Sequence, residues 1–169
     1  RRDRYGGDVP RRAELARRVA ERVRTRAGDG VAVTAKFNMD DGVRGGFWLT
    51  DSVPTARLLE ADGHLDALQL TGGSSLQNPM YYFRGSAPRA EFARVFRPPL
   101  SWALRAGGSF FLRQYPYRAA YLLDQARQFR RELVLPLILL GGITAKETMD
   151  LAMAEGFEFV AMARALLRD

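Results

Sequence analysis

Two apolar runs near the C-terminus end in residues suited to holding an anion: Leu137-Ile138-Leu139-Leu140-Gly141-Gly142-Ile143-Thr144, and Phe157-Glu158-Phe159-Val160-Ala161-Met162-Ala163-Arg164. Each is short enough for a buried parallel strand, ends in small residues and passes directly into a helical pattern. Gly141 and Gly142 lack a Cβ, so an anion can approach the backbone there and the chain can turn sharply. Thr144 with Glu147 three residues on has the form of a capping box, which predicts a helix N-terminus directly after the glycines. Backbone N–H groups and the helix dipole would converge on one spot, and the Arg164 guanidinium would arrive from the next strand as a bidentate partner for a phosphate. Taken singly, each motif is more often an ordinary strand-to-helix turn. Their pairing at consecutive strand ends is what points to an anion.

Lys36 is the next residue with chemistry to offer. The chain uses Arg almost everywhere, with Lys36 and Lys146 its two lysines, yet it places Lys36 near the C-terminal end of an apolar strand. An ammonium there needs an anion or several acceptors. On strand parity Lys36 shares a face with Ala32, Thr34 and Asn38, where a fixed cation could stabilise negative charge developing on a cofactor or substrate. Snorkelling out at the strand end is an equal alternative. His64, the single histidine, falls between a helix-stop glycine and the next strand, on the face where parallel folds do not build sites. With one histidine and no cysteine, a transition-metal site is not expected.

The elements that must position these residues alternate. Asp8 as N-cap and Pro10 in the first turn begin a helix that runs to about Ala27, where Gly28 and Gly30 end it. Val31 to Phe37 is a strand, 38–46 a polar loop, Ser52 to Ala61 a helix stopped by Gly63, and Leu65 to Thr71 a strand closed by Gly72, Gly73 and Ser74. A long excursion over 74–108 follows, carrying Tyr81, Tyr82, Phe83, Pro98, Pro99 and Trp102 and one expected helix near Arg89 to Phe96. Loops this long are usually functional, and this one could roof a flat ligand or pack over helices. Tyr117 to Glu132 is read as a helix, Pro136 to Leu140 as a strand, Ala145 to Glu155 as a helix and Phe157 to Met162 as a strand. Tyr115 and Tyr117, flanking Pro116, either donate into the mouth of the site or staple the following helix.

Four strands alternating with helices predict a parallel α/β sheet. In a doubly wound sheet the glycine fingerprint would follow the first strand, where this chain has Phe37-Asn38-Met39-Asp40. Phosphate signals after the last two strands favour half of a (β/α)8 TIM barrel, approximately strands five to eight. Residues 1–169 are read as a single domain. The chain opens without an initiator Met and stops just after a helical turn has started, so it is expected to be a piece of a longer protein.

Composition excludes several classes. At 169 residues and 47% hydrophobic, the chain can bury a sizeable core. The absence of cysteine rules out disulfides, thiolate metal sites and a cysteine nucleophile, and fits the cytoplasm. No apolar run has membrane-spanning length. The net charge of +7 is spread rather than clustered, so nucleic acid is not an expected partner. Its densest group, Arg11, Arg12, Arg17, Arg18, Arg22, Arg24 and Arg26, reads as the solvated face of the first helix, with Leu15, Val19 and Val23 on the other face.

The opening Arg1-Arg2-Asp3-Arg4-Tyr5-Gly6-Gly7 with Arg12 resembles the Asn-Arg-Arg-x-Asp-x-Tyr-Gly-Gly segment, followed by an Asn-Arg pair, of the Old Yellow Enzyme group of NADH:flavin oxidoreductases, which includes bacterial 2,4-dienoyl-CoA reductases. Arg11 replaces the usual Asn. The Leu-Gly-Gly-Ile and Ala-Met-Ala-Arg-Ala-Leu-Leu runs resemble that family's FMN phosphate site in order and spacing, and the likeness spans nearly the whole chain. It implies an FMN-binding barrel with Lys36 against the flavin pyrimidine edge, favouring the reduced anionic form, and with Gly141, Gly142, Ala163 and Arg164 at the phosphate. Ala163 stands where many members have Gly, a change that leaves the backbone N–H in place.

The resemblance further implies NAD(P)H as reductant and an activated alkene, an enone or dienoyl thioester, as the small-molecule substrate. The family's carbonyl-gripping His and Asn or His pair, and its Tyr donor, would lie upstream of residue 1, so this chain alone would be an incomplete catalyst. Two other readings stand beside this one. A non-redox lyase or isomerase would use the same phosphate site, and an inactive half barrel would pair through its open strand edges into a homo-oligomer or aggregate.

Overall fold

A computed structural model of the chain describes residues 3–74, 84–85, 89–111, 114–163 and 165–167. Arg1, Arg2, Tyr81, Tyr82, Phe83 and Arg164 lie outside them. Helix α1 covers Val9–Ala27; Asp8 caps it by accepting the Arg11 N–H at 3.2 Å, and Gly28 ends it at φ 72°. Strand β1 is Thr34–Asn38, α2 Leu49–Asp62 and β2 Ala67–Thr71. Helix α2 starts three residues before the expected Ser52, because the Trp48 carbonyl already accepts the N–H groups of Asp51 and Ser52. The second half adds α3 (Arg89–Arg94), α4 (Leu100–Phe111), α5 (Leu123–Glu132), β3 (Leu137–Leu140), α6 (Lys146–Ala154) and β4 (Phe159–Ala161).

Two expectations are corrected here. The excursion holds two helices rather than one, since α4 closes its first turns on the Pro99 carbonyl and continues through Gly107 and Gly108 despite their low helix propensity. Helix α5 begins at Leu123 rather than Tyr117. Ala120 sits at φ 47°, outside right-handed helix space, and its N–H donates to the Gly142 carbonyl at 3.1 Å.

The four strands are all parallel and ordered β1-β2-β3-β4, so β1 and β4 form the edges. Register places Phe37, Leu70, Leu139 and Val160 in one row, and Lys36, Gln69, Ile138 and Phe159 in the row on the opposite face. The first row is core: Leu68, Leu70, Leu137 and Leu139 are fully buried and cluster with Ala56 and Leu59 of α2, Ala126 and Phe129 of α5, and Ala152 of α6. Among the described residues no element covers the second face, where Lys36 is exposed and Phe159 57% exposed. Parallel sheets ordinarily have both faces covered. The order is sequential, whereas a doubly wound sheet reverses its order midway.

Helix α1 is turned differently from its sequence pattern. The expected inward residues Leu15, Val19 and Val23 are exposed, and Ala13 and Ala20 are the buried ones. Small residues let α1 approach α2 closely, and arginines read as a solvated face are drawn into that seam. Arg12 forks onto Asp51 at 2.9 and 2.8 Å, Arg17 forks onto Asp62 at 2.7 and 2.6 Å, and Arg24 pairs with Asp66. These hydrogen bonds hold the Asp51 and Asp62 carboxyls below their ordinary range. The planar forks of Arg12 and Arg17, matched to carboxylates on α2, accompany that rotation.

Candidate functional site

The C-terminal ends of the strands open onto a cavity of about 610 Å³. Its floor takes Lys36 and Gln69, neighbours in register on the open face. Its rim takes Leu140 at the end of β3 with the four residues that follow it, and Ala161 at the end of β4 with Met162, Ala163 and Ala165. Four of the five residues singled out for cofactor binding, Lys36, Gly141, Gly142 and Ala163, therefore line one cavity. The fifth, Arg164, follows Ala163 and is outside the described residues. His64 is at the other end of β2, following the α2 stop glycine, away from this cavity.

Local geometry revises the reason for the glycines. Gly141 and Gly142 have φ of 102° and 75°, which L side chains rarely adopt. A Cβ on Gly141 would lie 2.8 Å from Leu122 Cγ, and one on Gly142 would lie 2.9 Å from the Arg118 carbonyl oxygen and 3.0 Å from the Ala120 nitrogen. The missing side chains thus make room for the segment before α5, and any anion must be met by the backbone rather than by an open space at Cβ. The expected Thr144–Glu147 capping box shifts by one residue. Ala145 occupies the N-cap position, and the Thr148 hydroxyl donates to the Ala145 carbonyl at 2.7 Å and lies 3.4 Å from its N–H. The Thr144 hydroxyl instead meets Tyr117 Oη at 2.9 Å, a tie between two cavity-lining segments. Tyr117 is therefore a staple across the rim.

Arg84 is the residue that motif reading missed. Its backbone bridges Tyr115, and its guanidinium lies 4.8 Å from the Tyr115 ring centroid and 4.9 Å from that of Tyr121. Arg84 and Tyr121 both line the cavity. The charge on Arg84 reaches Asp40, which is 1% exposed and whose Oδ2 accepts from Gln125 Nε2. Burial pushes the Asp40 carboxyl above its ordinary range, against opposing pulls from the Gly42 N–H and Arg84. Gln69 was also missed, although it is the polar exception in the apolar run 67–70, just as Lys36 is the charged residue of β1. Among the described residues, no cluster of His, Asp or Glu could hold a metal ion, and no helix is long and apolar enough to cross a membrane.

No protein-family profile matches the chain. Over all 169 residues it is 59% identical to a 4,4'-dithiodibutanoate disulfide reductase of Rhodococcus erythropolis, and it spans 42% of that curated relative's length. The fold is similar to part of a solved 2-naphthoyl-CoA reductase in complex with 2-naphthoyl-CoA. That likeness has a TM-score of 0.66 at 19% identity and covers 95% of this chain and 20% of the other. At that identity it speaks to architecture, a mixed α/β arrangement built on a parallel sheet.

Proposed function

We propose that this chain is the cofactor-holding part of a flavin-dependent reductase, the second half of a (β/α)8 barrel formed by residues 1–169 as one domain. The observation that carries this is the cavity at the strand ends, where an open-face lysine, a glutamine amide and two glycine-rich or alanine-rich turns meet. A volume of about 610 Å³ suits a cofactor-sized ligand, since such pockets run roughly 300–1,000 Å³. The residues present fit FMN: Lys36 and Gln69 for a polar ring edge, the backbone of Gly141, Gly142 and Ala163 with the Arg164 side chain for a phosphate. The chemistry supplied there by bound FMN is two-electron transfer from NAD(P)H to an electrophilic small molecule.

Within that reading, Lys36 is a fixed cation that stabilises negative charge at the ring edge without having to reorganise. The Tyr117–Thr144 tie keeps the turn after β3 in place. The row from Lys36 to Phe159 awaits strands that would complete the barrel and exclude water. An activated alkene would gain a hydride at its β-carbon and a proton at its α-carbon. The name of the 59% identical relative favours a second electrophile, an organic disulfide: with NAD(P)H and one proton it gives two thiols and NAD(P)⁺, sulfur being reduced and the nicotinamide oxidised. The cytoplasm, rich in reduced nicotinamide, is the setting we assign.

The test is to purify the full-length protein, record its visible spectrum, and follow NAD(P)H consumption with 4,4'-dithiodibutanoate and with an enone. A flavin spectrum with turnover of either substrate is expected. A colourless protein that shows no FMN uptake would defeat the proposal, and a self-associated colourless species would favour the inactive half barrel, whose exposed Phe159 face could pair between copies.

A further inference from the structure

We infer that the Thr144 hydroxyl is a ligand of the cofactor's phosphate monoester, and that Tyr117 is a positioning residue that aims it. Both assignments rest on the cavity being the flavin site proposed above. Thr144 and Tyr117 line that cavity from two segments, one in the turn after β3 and one ahead of α5. Their hydroxyls meet at 2.9 Å, and both side chains are exposed. Two hydroxyls carry two protons, and the bond between them uses one. The other proton is left to donate elsewhere, and among the described residues no further partner takes it.

Hydroxyl chemistry decides which proton is free. A phenolic O–H is the stronger donor and an aliphatic oxygen the better acceptor, so Tyr117 Oη donates to Thr144 Oγ1 and the Thr144 proton remains for a ligand. A hydroxyl hydrogen otherwise rotates to suit its surroundings, and accepting from Tyr117 removes that freedom. The surroundings of Thr144 are donors. Among the described residues the N–H groups of Gly142, Ile143 and Thr144 meet no protein acceptor. The Gly142 carbonyl accepts the Ala120 N–H at 3.1 Å, and in a planar trans peptide the Ile143 N–H points the opposite way. Unpaired amides beside a free hydroxyl proton suit the oxygens of a phosphate. The turn is tied to the segment before α5 twice, by that backbone bond and by the hydroxyl pair, so it presents these donors without having to become ordered when a ligand arrives.

The experiment titrates full-length protein, stripped of flavin, with FMN and with riboflavin, which differ in the phosphate alone. Fluorescence quenching reads the affinity for wild type, Thr144→Val, Thr144→Ser, Tyr117→Phe and the double variant Tyr117→Phe/Thr144→Val. Thr144→Val and Tyr117→Phe should each weaken FMN about tenfold and riboflavin less than about twofold. Thr144→Ser, which keeps the hydroxyl, should hold FMN close to wild type. The double variant should bind FMN as Thr144→Val does, because Tyr117 acts through Thr144. Losses that multiply in the double variant, or full affinity in Tyr117→Phe, would overturn the positioning role. Equal losses of FMN and riboflavin would reveal a packing role and overturn both assignments, as would full FMN affinity in Thr144→Val. A wild type that does not distinguish FMN from riboflavin would remove the phosphate from this turn while leaving the flavin reading intact. A protein that takes up neither flavin would defeat the flavin reading, and calorimetry with inorganic phosphate then decides the rest: binding that is lost in Thr144→Val keeps the anion ligand, and no binding refutes it.

Discussion

Replacing Gly142 by alanine should cost the fold more than any anion-binding argument would suggest. Its φ of 75° is left-handed space, which penalises an L side chain by roughly 1–2 kcal/mol. The new Cβ would lie 2.9 Å from the Arg118 carbonyl oxygen and 3.0 Å from the Ala120 nitrogen, both backbone atoms that cannot rotate away. Relief requires moving the Arg118–Leu122 segment, which stretches the 3.1 Å bond from the Ala120 N–H to the Gly142 carbonyl, and overpacking of this kind costs about 1–3 kcal/mol. The sum is about 2–5 kcal/mol, a large share of a typical domain's stability. With a urea m-value of roughly 2 kcal/mol/M, the unfolding midpoint should fall by about 1–2.5 M. Gly107→Ala serves as the control: nothing lies within 4 Å of its would-be Cβ and it stands inside α4, so stability should rise by roughly 0.5–1 kcal/mol. An unchanged midpoint for Gly142→Ala would refute the packing account of the glycine pair.

Other outcomes follow from charges outside the cavity floor. Arg17→Ala removes a fork from the partly buried Asp62 and should destabilise by about 1 kcal/mol. Because the native Asp62 carboxyl is depressed, that difference is fully present above the ordinary aspartate range and fades as pH falls through the lower folded value; urea midpoints at several pH values would show it. Asp40 has the opposite sign. With its native carboxyl raised by burial, the protein sheds stability as pH climbs from the ordinary value through the raised one, so Asp40→Asn should raise the melting temperature at neutral pH and lose that benefit in acid. A melting temperature lowered at neutral pH would mean that attraction to Arg84 outweighs the desolvation of the buried carboxyl.

What was legible in the sequence is local. Asp8, Pro10 and Gly28 mark α1 by chemistry that acts within a few residues, and short apolar runs ending in glycine mark β2 and β3. Parity along β1 placed Lys36 on the open face because a strand's period needs no knowledge of partners. What was not legible depends on contacts distant in sequence. The rotation of α1 goes with its packing on α2, which brings Arg12 and Arg17 to Asp51 and Asp62. Arg84 carries no motif among 26 basic residues, and its place in the cavity wall emerges only when Tyr115 and Tyr121 fold against it. Helix α4 was not expected because Gly107 and Gly108, poor helix formers, lie in its last turns. The capping box failed because Tyr117, twenty-seven positions away from Thr144, captured its hydroxyl.

The decisive measurement is FMN affinity of the full-length protein stripped of flavin, titrated by fluorescence quenching beside Arg164→Ala and Lys36→Met, with urea midpoints recorded for each. Losing one charge-assisted contact is worth about 1.5–3 kcal/mol, so each variant should bind FMN roughly 10- to 150-fold more weakly at an unchanged midpoint. Wild-type affinity in both variants would contradict the assignment of this cavity to the flavin.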